Sequence, residues 1–278
     1  MTLSIKRVSV VIVFCVLGLL LLVPNAFANH AWGNYHWART TPTFTVQVKN
    51  SMSYQWQPSM KAAVVDWNKS VAVDFALKAQ KRLRSCLGVT GMVEVCNDAY
   101  GSNGWLGLAE IWVSGDHITK GTVKLNDTYY NTPTYNTVAW RKAVVCQEIG
   151  HTLGLGHNDE DFNTTNGTCM DYSYDPVPNQ RPDAHDYQML ATIYAHVDTF
   201  DSYLKATTTL SSTTNGNPES VGQNIDQSNP SAWGKVVKRD AKNNPSLYAR
   251  KAVTGEMVFT HVTWVPDFDG HTDHSHVQ

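Results

Sequence analysis

Four side chains between positions 147 and 157 have the types and spacing to act on a bound metal ion. Gln147 and His151 are four residues apart, so on a helix they share one face and converge on one point. Glu148 lies beside that point and can take a proton from a water held there. Gly154 lets the chain leave the helix, and His157 can turn back as a further ligand. Hydrolytic zinc needs three protein ligands and one open position, so this stretch predicts a hydrolytic zinc site.

The stretch QEIGHTLGLGH, positions 147 to 157, resembles the metzincin pattern H-E-x-x-H-x-x-G-x-x-H at every specified place except the first. The residues around and between its histidines are most similar to those of the matrixin-type branch. TCMDYS follows where metzincins have a methionine turn, and it offers Met170. Tyr172 matches the spacing of the switching tyrosine ligand in astacin-like and serralysin-like members. The resemblance covers residues 35 to 198.

This resemblance implies a secreted zinc metalloendopeptidase that hydrolyses internal bonds of a protein or peptide substrate. His151 and His157 would bind Zn²⁺, Glu148 would be the general base, and the methionine turn and its tyrosine would support the site. The implied fold is α+β and zincin-like, with a twisted mixed sheet, an active-site helix, a methionine turn and a C-terminal helix. Residues 104 to 112, GWLGLAEIW, would be the edge strand on which an extended substrate adds.

Gln147 stands where the family has its first histidine ligand. A neutral amide oxygen is a poorer partner for zinc than an imidazole nitrogen, although its reach from the helix is similar. One possibility is that Gln147 is a weaker ligand, and another is that Tyr172, His117 or His30 completes the site. The third is a catalytically weak or inactive pseudoprotease that acts as an extracellular peptide-binding module. The presence of Glu148 beside two histidines favours the enzyme.

Other polar residues have more ordinary interpretations. Asp159, Glu160 and Asp161 form an acidic run that is expected to be a solvated loop, with Ca²⁺ binding as the minor alternative. His30 and His36 lie among aromatic residues near the predicted mature N-terminus. They are expected to be structural.

The N-terminus predicts export. A basic start, an apolar run from Val8 to Val23 and the small-residue pattern Ala26-Phe27-Ala28 form the three parts of a signal peptide, with cleavage after Ala28. The alternative is an uncleaved membrane anchor, but the apolar run is shorter than the roughly 20 residues that usually span a bilayer. We therefore expect a secreted protein without stable membrane association after cleavage.

Cysteine count agrees with export. The chain has 5 cysteines, and Cys15 would leave with the signal peptide. Four cysteines in an exported chain indicate two disulfides, for which three pairings are possible. We favour Cys86–Cys96, which closes a short loop, and Cys146–Cys169, which ties the helix to the loop after the motif. A cysteine zinc site would need short C-x-x-C pairs, and the sequence has none.

Composition divides the chain and excludes some partners. Net charge is −2 and the sequence pI is about 6.6, so a nucleic-acid partner is not expected. We expect a monomer. The predicted parts are a signal peptide (1–28), a metzincin-like domain (29–204), a Ser/Thr/Asn-rich linker (205–232) and a small C-terminal extension with a histidine-rich tail (233–278).

Hydrophobic periodicity predicts the elements that hold the motif. A long loop is expected at 80–104, with a few short strands in the extension. Before the linker the patterns predict strands at 43–50, 71–79, 104–115 and 118–127, and helices at 58–70, 136–153 and 182–198.

Overall fold

The computed structural model describes residues 29–83, 86–205 and 229–268. In these residues the chain forms a mixed sheet of nine strands accompanied by four α-helices. The predicted signal peptide, most of the predicted linker and the histidine-rich tail lie outside the described residues.

The sheet combines a parallel half with an antiparallel half. Its order is β3-β2-β4-β6-β5-β9-β8-β7, and β1 pairs with the start of β6. Strands β1 to β4 and β6 pair in parallel, whereas β5, β7, β8 and β9 form only antiparallel pairs. This large mixed sheet agrees with the predicted α+β class. The strands are β1 (His36–Trp37), β2 (Phe44–Asn50), β3 (Val73–Ala79), β4 (Met92–Asp98), β5 (Trp105–Ser114), β6 (His117–Asn126), β7 (Lys235–Arg239), β8 (Pro245–Lys251) and β9 (Met257–Trp264).

Three of the four helices in the described ranges lie near segments that periodicity predicts as helices, and the short helix Asp127–Tyr130 was not predicted. Thr137 caps the third helix by accepting a hydrogen bond from the Trp140 amide, as its position before the periodic segment indicates. The fourth helix is shorter than predicted, because the chain leaves helical geometry at Tyr194. No helix in the described ranges is both long and apolar enough to cross a bilayer. The helices are α1 (Gln57–Trp67), α2 (Asp127–Tyr130), α3 (Val138–His151) and α4 (Ala184–Ile193).

Strand β4 was missed by the sequence pattern, so the prediction of one long loop over 80–104 is wrong. The polar residues of this stretch obscure the strand pattern, but in the fold they have ion-pair and hydrogen-bond partners. Glu94 forms an ion pair with Lys49 at 2.8 Å and accepts a hydrogen bond from the Ser51 hydroxyl at 3.0 Å. Asn97 accepts from the Ser53 amide at 2.7 Å. Tertiary contacts therefore stabilise a strand whose local composition does not specify it.

The expectation that residues 104 to 112 form an edge strand is also wrong. Strand β5 is paired on both sides, with β6 on one and β9 on the other. In the second pair Ala109 lies opposite His261, and Gly107 lies opposite Thr263. Segment 235–264 therefore belongs to the same sheet as the motif-bearing part of the chain. The domain boundaries drawn from composition remain predictions.

A separate hydrophobic cluster holds β9 in the sheet. It is formed mainly by aromatic side chains of β5, β8 and β9, and Trp264 donates its indole N–H to the Pro245 carbonyl at 2.7 Å. Arg250 on β8 also reaches Glu110 on β5 at 3.3 Å, across β9. These contacts attach β9 firmly. The buried members of the cluster are Trp105, Leu108, Trp233, Tyr248, Val262 and Trp264.

Both predicted disulfide pairings are confirmed. Cys86 bonds to Cys96 on β4, with their Cα atoms 5.8 Å apart. Cys146 on α3 bonds to Cys169, with their Cα atoms 5.9 Å apart. The second bond joins the motif helix to the turn that carries Met170.

Candidate metal centre

Helix α3 and the turn after it bring the motif side chains together. Gln147, Glu148 and His151 are all buried near the helix end. Gly154 has φ +97°, and a Cβ there would lie 2.3 Å from the Tyr35 carbonyl oxygen, so only glycine fits this turn. The turn brings His157 back beside the helix.

His151 and His157 face each other through their Nε2 atoms, which are 3.0 Å apart. The Nδ1 atom of His151 donates to the Leu155 carbonyl at 2.8 Å, and that of His157 faces the Glu160 carboxylate at 2.6 Å. Both Nδ1 atoms thus face oxygen acceptors while the two Nε2 atoms face each other at hydrogen-bond distance, an arrangement that a proton or a metal ion between them stabilises. Two nitrogens on a tetrahedral zinc at 2.0–2.1 Å would be about 3.3 Å apart. The donor set and its spacing fit a metal ion.

Glu148 is buried beside this pair. One carboxylate oxygen lies 2.5 Å from the Thr263 hydroxyl of β9, and the other has no hydrogen-bond partner among the described residues. Burial raises the pKa of Glu148 to about 8, and the contact with Thr263 opposes that rise. Gly107 makes room for the carboxylate, because a Cβ there would lie 2.4 Å from its Oε1. The β5 backbone thus passes directly over the predicted base.

Gln147 has both ends of its amide engaged. Its Nε2 donates to the Asp171 carbonyl at 3.0 Å, and its Oε1 accepts from the Thr263 hydroxyl. Asp171 in turn accepts from the Asn166 amide at 2.8 Å and from Asn158 at 3.1 Å, which holds the backbone around the turn. The role of Gln147 as a metal ligand remains a prediction.

His261 on β9 joins the centre, and sequence reasoning missed it. Its ring stacks on His151 with centroids 4.1 Å apart and planes 15° from parallel. Its Nε2 has no hydrogen-bond partner in the part of the chain that the structure describes. Burial lowers the pKa of His261 well below its usual value, so the ring is a neutral donor. One sequence signal could have found it. Side chains alternate between the two faces of a strand, so Phe259, His261 and Thr263 share one face.

Met170 and Tyr172 of the predicted methionine turn lie beside helix α3 and the imidazole pair. Met170 is fully buried, and Tyr172 packs on His157 with ring centroids 4.4 Å apart. The Tyr172 hydroxyl donates to the Val262 carbonyl of β9. Burial raises the pKa of Tyr172 well above its usual value. In this arrangement the tyrosine contacts the strand, and its predicted supporting role stays a prediction.

The acidic run after the motif serves mainly its own loop. Asp159 accepts from the Asp161 amide at 2.8 Å and from the Thr164 hydroxyl at 2.5 Å. Glu160 is different, since it orients His157 and also pairs with Lys238 at 3.2 Å. Carboxylates behind metal-binding histidines commonly fix the ring in this way. The Ca²⁺ interpretation of the run stays a prediction.

The two histidines considered as replacement ligands each have a polar partner, and their role at the site stays a prediction. His30 faces the Gly156 carbonyl through Nδ1 at 3.0 Å. His117 faces Asp198 through Nε2 at 3.2 Å. A cavity of about 510 Å³ opens beside the imidazole pair, lined among others by His30, Trp32, His157, Glu160, Lys238 and His261.

Comparisons with known proteins give distant likenesses only. No protein-family model matches the chain, and no curated protein matches it. A chain of the GM1-bound form of the ECX AB5 holotoxin is similar at 13% identity and a TM-score of 0.36, over 54% of this chain and 80% of that one. High choriolytic enzyme 1, a hatching-enzyme zinc-protease from the medaka fish Oryzias latipes, is similar at 13% identity and a TM-score of 0.34, over 59% and 96%. Likenesses this distant leave the function to the geometry of the site.

Proposed function

We propose that this chain is a secreted, metzincin-like zinc endopeptidase whose substrate groove is closed by its own strand β9. The proposal depends mainly on the facing Nε2 atoms of His151 and His157, 3.0 Å apart inside the protein. Their Nδ1 atoms face a carbonyl and a carboxylate, which directs both Nε2 atoms at the place where an ion would bind. His261 or Gln147 would supply the third ligand.

Glu148 is the residue best placed for proton transfer. Bound zinc would supply Lewis acidity for a scissile carbonyl and for a water molecule. Glu148 takes the proton of the attacking water and later gives it to the leaving amine. Its second oxygen, which lacks a hydrogen-bond partner among the described residues, is available for that task.

Strand β9 occupies the position that an extended substrate would take. It runs antiparallel along β5, as a peptide does when it extends a sheet. Its Thr263 hydroxyl contacts both Gln147 and Glu148. The intact chain is therefore a closed form, and substrate enters when β9 separates from β5.

A peptide-binding pseudoprotease is the second candidate. The observation that favours it is the Gln147 amide, which is hydrogen-bonded at both ends and does not face the imidazole pair freely. A module of this kind would bind an extended peptide beside β5 without turnover. It would also lack stoichiometric zinc at the imidazole pair.

The decisive experiment combines metal analysis with a protease assay. The exported chain and a Thr260→Pro variant, in which proline weakens central strand β9, are assayed on casein with and without a chelator. We expect zinc at the imidazole pair, little cleavage by the intact chain and chelator-sensitive cleavage by the variant. Adding Glu148→Gln to that variant should abolish cleavage while zinc stays bound. Absence of both zinc and cleavage would leave only the peptide-binding module.

Glu256→Gln is the matched control for the loss of a carboxylate. Glu256 contacts Thr119 and Thr254 outside the motif. Cleavage by the Thr260→Pro variant should survive this change. Equal loss with Glu148→Gln and Glu256→Gln would mean that activity depends on general stability and not on a base.

A further inference from the structure

A second group of metal-ligating side chains lies outside the proposed catalytic centre. His36 and His196 approach each other with their Nε2 atoms 3.1 Å apart. The Oδ1 atom of Asp198 is 3.5 Å from His36 Nε2 and 3.8 Å from His196 Nε2. His117 reaches the same oxygen at 3.2 Å. Two nitrogens and one carboxylate oxygen thus surround a common point.

The geometry directs these atoms at one point. His36 Nδ1 faces the Asn34 carbonyl at 2.7 Å, which turns its Nε2 toward His196 and Asp198. A lone pair that faces a carboxylate oxygen and another imidazole is unfavourable without a proton or a metal ion. Ligands on a tetrahedral zinc at 2.0–2.1 Å are about 3.3 Å apart, close to the observed separations.

The fold holds these side chains in place. Register sets His36 of β1 directly beside His117 of β6. Asp198 is fixed because its Oδ2 accepts from the Arg39 amide at 3.0 Å and its own amide donates to the Arg39 carbonyl at 2.7 Å. His36 is buried, whereas His196 is 54% exposed in its side chain, so solvent ions can enter.

We propose that His36, His196 and Asp198 form a second site for a divalent transition-metal ion, with Zn²⁺ as the representative ligand. His117 orients the carboxylate and is within reach of becoming a fourth ligand. A mixed nitrogen and oxygen donor set with one side open to solvent is typical of zinc chemistry. The ion would fasten the first strand to the segment after α4. This inference is independent of the proposed peptidase function.

The test measures Zn²⁺ binding in a full-length chain that lacks the other candidate sites. His157→Asn removes the catalytic pair, and His271, His274 and His276 of the tail are changed to alanine. Competition with a chromophoric chelator should show one Zn²⁺ per chain, and Zn²⁺ should raise the Tm. Adding Asp198→Asn or His196→Gln should weaken binding by about tenfold or more and remove the Tm shift. His117→Gln should have a smaller effect on affinity.

Asp201→Asn is the matched control, because Asp201 lies three positions away and contacts Thr40 and Lys205 instead of the histidines. It should leave Zn²⁺ affinity unchanged. Absence of Zn²⁺ binding in the starting chain would overturn the proposal. So would equal affinity in the Asp198→Asn and Asp201→Asn proteins, since both outcomes would leave the cluster as a set of ordinary ion pairs.

Discussion

At the scale of single residues, the chain has glutamine at position 147, where the motif has histidine, and it has an additional histidine, His261, beside His151. The motif lacks its first histidine, and the fold supplies one from a distant strand, stacked on His151 at 4.1 Å. Gln147 meanwhile contacts the Asp171 carbonyl and Thr263. The proposed zinc site thus has two candidates for its third ligand, His261 and Gln147.

If His261 is the third ligand, two substitutions should change zinc affinity in opposite directions. In a chain that carries Asp198→Asn to silence the second site, His261→Ala should weaken zinc binding by about tenfold or more, because a nitrogen donor is lost. Adding Gln147→His should restore affinity by returning the donor to the helix. Chelator competition measures both steps, and His185→Ala is the control. If His261→Ala changes nothing and Gln147→Ala removes binding, the third ligand is Gln147.

At the scale of elements, β9 is the strand that would decide access to the proposed centre. It lies between β5 and β8, and its residues 260, 261 and 263 face partners on β5. In the proposed peptidase a peptide substrate would need the same backbone groups of β5 that β9 uses. The strand would therefore compete with substrate, and local opening of β9 would set the rate of cleavage.

Two proline substitutions separate this effect from general damage. Thr260→Pro removes an amide from a strand paired on both sides and should increase chelator-sensitive peptide cleavage. Val237→Pro places the same residue in exposed edge strand β7 and should not. Cleavage rates are compared at equal folded fractions, judged by circular dichroism. Equal rates in the two variants would contradict closure by β9.

The same element shows how far sequence reasoning can go. Helix α3 was predictable, because its cap, its periodicity and its terminating glycine are local signals. Strand β9 was predictable as a strand, but its partner was not, because pairing with β5 is decided by packing between distant segments. His261 was missed for that reason, as was β4, whose Glu94 and Asn97 become compatible with burial only through tertiary partners.

At the scale of the whole molecule, a buried carboxyl near the methionine turn links stability to pH. Asp186 accepts from the Thr168 hydroxyl and from the Asp183 amide. Burial raises its pKa from 3.8 to about 7, with these hydrogen bonds opposing the rise. Burial lowers the pKa of neighbouring His30 to about 4, so that ring is neutral above this pH. At Asp186 the folded chain therefore binds a proton more tightly than the unfolded chain does.

The direction in which stability changes with pH follows from the raised pKa of Asp186. Stability contributed by protonated Asp186 is fully present below about pH 4 and is lost as pH rises through about 7. We expect the free energy of unfolding of the wild type, relative to Asp186→Asn, to fall between pH 5 and pH 8. Urea unfolding with the disulfides intact measures it. Asp74→Asn on the exposed part of β3 is the control, and a difference that rises with pH would contradict the assignment.

The pairing of β5 with β9 also affects how the chain folds. Helix α3, the turn that carries Met170 and helix α4 all lie between β5 and β9 in sequence. Strands β5 and β6 are therefore synthesised well before β9. Until then the apolar β5 presents an unpaired edge, which invites association with other chains. Such long-range pairing is slow to form. In the proposed peptidase, the strand that closes the groove would thus also protect the newly made chain from aggregation.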